Sequence, residues 1–187
     1  MRTPLSLLLG AASFIGCASH QQTFTEQIVN DPLITVHSAI ASGNLRAARS
    51  ELIAIEVDRV EENRTQVKTL LLAELSLKDG DVVKATELAL SIYSSDSSHP
   101  QAAELLGKAH LQAGRFDHAL LYFGSAQGNY SLHSDKTRVS DFSHLTHALQ
   151  AYGDGDFAGA QRHWSAITDR SLMQSVEDKF AVVINAG

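Results

Sequence analysis

The chain has 187 residues, 44% of them hydrophobic and 19% charged, the balance of one ordinary globular domain rather than of a disordered chain. Fifteen Lys and Arg stand against 21 Asp and Glu, a net charge of −6 with no basic cluster, so nucleic-acid binding has no electrostatic footprint. A single cysteine excludes an internal disulfide, and no CxxC or Cys/His spacing suited to zinc is present.

The N-terminus reads MRTPLSLLLGAASFIG: one charge, Arg2, then an apolar stretch from Leu5 to Gly16. About a dozen apolar residues are too few to span a bilayer core of ~30 Å as a permanent helix. A basic start, a short apolar middle and small residues at the end make the layout of a secretory signal. The four residues Phe14-Ile15-Gly16-Cys17 resemble the lipobox of bacterial lipoproteins, matching best at Gly16 and Cys17, with Phe14 where Leu is commoner. That resemblance implies that residues 1–16 are removed and that Cys17 becomes the lipidated first residue of the mature chain. The other reading is an ordinary signal cut after Ser19, which discards Cys17. Ala18, standing where Asp favours inner-membrane retention in the family, implies the outer membrane. One acyl chain anchors only marginally, so the several chains of a lipoprotein modification are expected. The residues after Cys17, ASHQQTFTEQ, are polar and small, and residues 17–30 are expected to form a tether before the first helix.

From residue 31 one pattern recurs four times: SGNLRAARSEL, KDGDVVKATEL, QAGRFDHALLYF and DGDFAGAQRHW. Each has a turn glycine, an apolar residue two positions later (Leu45, Val82, Phe116, Phe157) and Ala five positions later (Ala48, Ala85, Ala119, Ala160). Gly80 and Gly114 are 34 residues apart; the flanking spacings are 37 and 41. Residues 100–133 resemble the tetratricopeptide consensus: Pro100 opens the first helix, Leu106-Gly107 match its large–small pair, and Ala119, Phe123 and Ala126 match the small–aromatic–small series of the second. These residue types serve packing, since helices that cross closely need small residues where backbones meet and large ones beside them. The expected fold is all-α, a right-handed superhelical solenoid of about four tetratricopeptide-like helix-turn-helix units with a C-terminal capping helix. The units are expected at about 32–57, 66–95, 100–128 and 139–169, within a repeat domain 31–187.

The first unit starts at Asp31-Pro32, a cap followed by a first-turn proline, and buries Leu33, Val36, Ile40, Leu45, Leu52 and Ile55. The second keeps Leu72, Ala73, Gly80 and Ala85, with Ala89 where an aromatic is common. In the fourth, counting back from Gly155 puts His144 and His147 at core positions. Counting from Gly153 puts Phe142, Leu145 and Leu149 there, while Ala160 and Trp164 still read from Gly155. This predicts a turn two residues longer, Gly153-Asp154-Gly155-Asp156, with residues 128–141 as an inserted loop. Residues 172–186 are expected to cap the array, which needs its exposed apolar end covered.

Chemistry is thinly represented. His144-x-x-His147 puts two imidazoles on one helical face, and His163 offers a third ligand, but both fall at groove or surface positions, so no metal site is assigned. His110 falls where a Tyr is common and reads as an interhelix packing residue. The Ser, His and Asp of SLHSDK are too close in sequence to make a triad. The glycines stand singly at helix turns, with no phosphate-binding loop, and no cofactor or catalytic residue is expected. What remains is a surface. The first helix of each unit is expected to line a concave groove, through Val67, Leu70, Glu74, Leu77 and Lys78, then Gln101, Glu104, Lys108, Leu111 and Gln112, then His147 and Gln150. Apolar spots in such a groove suit an extended or helical peptide; ordinary half-exposed helix residues are the other reading.

Lipobox and tetratricopeptide array together resemble bacterial assembly lipoproteins, most of all those of pilus and secretion systems: the tight-adherence (Flp) pilus assembly lipoprotein and the pilotins that bring secretins to the outer membrane. The resemblance implies a non-enzymatic protein-binding scaffold, lipid-anchored and facing the periplasm, whose partner is a secretin or another assembly component. A scaffold for envelope or cell-wall enzymes and a His-dependent metal-binding protein are the alternatives.

Overall fold

The computed structural model describes residues 31–55 and 62–176, so residues 1–30, Cys17 among them, and residues 177–187, where most of the capping helix was expected, lie outside the described residues. The protein is all-helical; among the described residues there is no strand. In chain order the helices are α1 (Pro32–Ala41), α2 (Leu45–Ala54), α3 (Glu62–Lys78), α4 (Val82–Tyr93), α5 (Pro100–Gln112), α6 (Phe116–Asn129), α7 (His133–Gly153) and α8 (Phe157–Ser165). A further helical segment covers residues 170–176.

The helices come in pairs because one turn is used four times. Gly43, Gly80, Gly114 and Gly155 all take positive φ, between 69° and 82°, a left-handed conformation that glycine adopts without a Cβ penalty. At each, the glycine N–H donates three residues back and the next N–H five back, as from Gly80 to Leu77 and from Asp81 to Ser76. This is the closure that satisfies the last carbonyls of a helix. The residue after the glycine then caps the following helix. Asn44, Asp81 and Asp156 accept from the backbone N–H of Ala47, Lys84 and Gly159, whereas Arg115 makes no side-chain cap to α6. Asp31 and His99 cap α1 and α5, each followed by proline at the first helical position.

The same geometry at Gly155 corrects two expectations. The turn after α7 has the ordinary length: the helix runs through Gly153, and Asp154-Gly155-Asp156 repeat the other turns. Residues 128–141 are not a loop; α6 runs to Asn129, and α7 begins at His133. The extra length is taken up as additional helix because Val139, Asp141 and Leu145 find buried places along it. The last described helical segment begins at residue 170, where a helix was expected from 172.

Each helix packs on the next, and the first helices of successive pairs also meet: α1 with α3, α3 with α5, α5 with α7. Four apolar clusters follow in line. Leu33, Val36, Ile40, Ala48 and Leu52 are joined by Leu71 and Leu75 of α3. Ala73, Leu77, Ala85 and Ala89 are joined by Leu105, Leu106 and Ala109 of α5. Ala103, Ala119, Phe123, Ala126 and Tyr130 are joined by Val139 of α7. Leu145 meets Ile167 and Val176. The first three pairs therefore complete their cores with the first helix of the next, as the burial of apolar area by stacking requires. Leu45 and Ile55 of the first unit, and Phe142, Leu149, Ala160 and Trp164 of the fourth, are half-buried rather than buried.

Polar bonds tie the pairs along the array. Arg49 on α2 pairs with Asp79 in the turn after α3. Lys68 Nζ donates to the Ile55 carbonyl at 2.5 Å. The Tyr93 and Ser125 hydroxyls lie 3.2 Å apart, between α4 and α6. Buried Asp141 on α7 accepts from the Thr168 and Asp169 backbone N–H groups at 3.0 Å each and from the Thr168 hydroxyl at 2.8 Å, fixing the chain beyond α8.

Candidate functional site: the face of the first helices

The first helices share a face, and most expected groove residues lie on it as surface. Val67, Lys78, Gln101, Gln112 and His147 are exposed, while Leu70, Glu74, Lys108, Leu111 and Gln150 are half-buried. Gln150 donates to Asp117 on α6. Two expected groove residues offer no surface to a partner. Leu77 is buried in the second cluster, against which half-buried Leu70 also packs. Glu104 is 4% exposed and is committed to its own protein.

Glu104 is the hub of a charged network. Its Oε2 accepts from the Tyr130 hydroxyl at 2.6 Å and from Arg138 Nη2 at 2.7 Å; its Oε1 accepts from Arg138 Nε at 3.1 Å and pairs with Lys108 Nζ at 2.7 Å. Arg138 also reaches Asp135 at 2.7 Å. Burial pushes the Glu104 carboxyl up. The Lys108 charge and the hydrogen bonds from Arg138, Lys108 and Tyr130 outweigh it and hold the pKa at about 2. Burial and the bond to Glu104 push the Tyr130 phenol up, and the bond to Glu104 raises the Arg138 guanidinium further. Sequence reasoning missed Tyr130 and Arg138 because both fell in the expected loop. Helical spacing of Val139, Phe142 and Leu145 was the available signal that the helix starts earlier.

A concavity on this face lies nearer the N-terminal end. A cleft of about 350 Å³ between α1 and α3 is lined by Asp31, Leu33, Ile34, His37, Arg64, Val67 and Leu71. Its floor is the buried pair Leu33 and Leu71. Ile34 and Val67 stand 48% and 43% exposed on its walls. Arg64 pairs with Asp31 across it at 3.3 Å. The cleft thus combines two half-covered aliphatic side chains with a charged rim, a shape that takes an apolar anchor side chain. Only Val67 of its lining belonged to the expected groove.

The histidines gather as the sequence allowed: the His163 ring lies 4.8 Å from that of His147 and 5.9 Å from that of His144. His147 and His163 stack, and His144 is tilted 35° to His163. Among the described residues no group of three or more His, Cys, Asp or Glu side chains is placed to hold a metal ion. Among the described residues no helix is long and apolar enough to cross a membrane. No family model, curated protein or solved structure matches the chain.

Proposed function

We propose that the protein is a non-enzymatic scaffold that binds a protein segment along the face of its first helices. In this reading the helix pairs are tetratricopeptide-like units of a right-handed solenoid. The observation that carries it is the contact of α1, α3, α5 and α7 in series, which leaves their shared side continuous and its apolar cleft open at Ile34 and Val67. An extended or helical peptide with an aliphatic anchor fits such a face.

The lipobox-like Phe14-Ile15-Gly16-Cys17 supports a lipid anchor at Cys17, and Ala18 supports the outer membrane. The partner is then a periplasmic segment of a secretin or another pilus or secretion component. Crosslinked pull-down from native membranes tests this. Recovery of a secretin or pilus subunit is expected. Recovery of cell-wall enzymes instead keeps the scaffold and overturns the pathway. A Cys17→Ser form that still fractionates with the outer membrane overturns the anchor.

A further inference from the structure

Two stacks of aromatic rings close the last two helix pairs. Between α5 and α6, His110 lies 5.2 Å from His118, tilted 20°, and 5.3 Å from Tyr122, tilted 13°. Between α7 and α8, His163 lies against His147 and His144. Tyr122 and His163 are equivalent, eight residues after Gly114 and Gly155. The Nδ1 atoms of His110 and of His144 are buried with no hydrogen-bond partner. A neutral imidazole can leave one nitrogen unprotonated, but an imidazolium carries N–H on both, and a buried N–H of a cation without an acceptor is costly.

The surrounding charges oppose protonation. Among the described residues, the charges that act on His110 are those of Arg115, in the turn, and of His118. From α4 the Tyr93 ring meets Tyr122 edge-on. His163 faces His147 and His144 from α7, Arg162 from its own helix, and one carboxylate, Asp156. In the segment beyond α8, Asp169 is held by Ser171 and Leu172.

We propose that the two ring stacks form a pH-sensitive latch: neutral imidazoles hold the α5–α6 and α7–α8 pairs closed, and protonation on acidification drives the rings apart and loosens both pairs. The helices that carry the rings, α5 and α7, also supply the shared face, so loosening reshapes that face.

The direction follows from linkage. Burial, then Arg115 and His118, lower the pKa of His110; burial, then His147, His144 and Arg162, lower that of His163, with Asp156 opposing. The unfolded chain, with imidazoles near 6.5, therefore takes up more protons as pH falls below about 6.5. The stabilisation is present above that pH and is lost as pH falls toward the lowered folded values.

Thermal denaturation of the full chain between pH 7.5 and 5.5, with hydrogen exchange at both ends, tests the latch. The melting temperature is expected to fall with pH, and exchange to rise in α5–α8 but not in α1–α4. His110→Gln with His163→Gln is expected to remove more than half of the pH dependence. Arg115→Gln with Arg162→Gln, both at exposed positions, is expected to reduce the dependence with the rings intact. Undiminished pH dependence in both variants, or exchange rising equally in α1–α4, overturns the proposal. If the histidine variant does not fold, NMR titration of the native imidazoles decides. Values below about 6.5 for His110 and His163 support it, and values at or above that overturn it.

Discussion

Gly107 of α5 and Phe123 of α6 interlock so closely that a Cβ built on Gly107 would lie 2.5 Å from two atoms of the Phe123 ring. Phe123 is fully buried and also stacks on Phe142 of α7, with centroids 5.7 Å apart, so it has nowhere to retreat. The contact joins three helices at the middle of the array.

Gly107→Ala is therefore expected to destabilise although alanine is the better helix former by about 1 kcal/mol. Overpacking costs about 1–3 kcal/mol, and a net loss of up to about 2 kcal/mol lowers the melting temperature by up to about 8 °C. Gly124 and Gly128, on α6, have nothing within 4 Å of a built Cβ. Alanine at either is expected to raise the melting temperature instead. Equal effects at all three positions would show that Phe123 does not constrain Gly107.

Glu104 ties α5 to α7, so its loss is felt along the chain. Glu104→Ala leaves Lys108 and Arg138 without their shared carboxylate. The expected cost is about 2 kcal/mol, below that of a fully buried pair because Arg138 is 42% exposed. In the native protein the depression of this carboxyl from 4.5 to about 2 places its contribution above pH 4.5. That contribution, about 3 kcal/mol at most, is lost as pH falls from 4.5 toward 2. Acid unfolding followed by circular dichroism should show this step, and Glu104→Gln should abolish it. The window lies below that of the histidine stacks, so the two separate in one titration.

Arg115 stands where Asn44, Asp81 and Asp156 cap the other second helices, yet makes no cap itself. Arg115→Asp is expected to stabilise α6 by about 1 kcal/mol, by supplying the acceptor and placing a negative charge at the helix start. Thermal melts check the gain; a neutral or lowered melting temperature would mean that the α6 N–H groups are already satisfied.

Ile34→Asp and Val67→Asp put charge on the walls of the α1–α3 cleft, where both side chains are about half exposed. Stability should change by less than about 1 kcal/mol, as for other surface substitutions. Crosslinking to the partner should fall at least tenfold, whereas Leu121→Asp, equally apolar and 68% exposed on α6, should leave it unchanged. Loss of crosslinking in all three, or in none, would remove the cleft from the binding reading.

Helix pairs were legible because their signals are local. A glycine followed by a capping residue, an apolar residue two positions on and alanine five positions on specify turn, helix start and close crossing within one short window. Pro32 and Pro100 mark first turns in the same way. Residues 128–141 defeated this reading because their Ser, Asn and Asp content resembles a loop. Their helicity comes from partners far away in sequence: Glu104 for Arg138 and Thr168 for Asp141. Composition therefore determined the helical class, the turn glycines and the small–large pairing of α5 with α6. Only the tertiary structure decided that Glu104 and Leu77 lie inside, that the cleft forms between α1 and α3, and that the His110 and His163 rings lie against other rings, with Arg115 beside the one and Arg162 and Asp156 beside the other. The buried pairings of Glu104 with Arg138 and of Asp141 with Thr168 join residues 34 and 27 positions apart, distances that no local pattern spans.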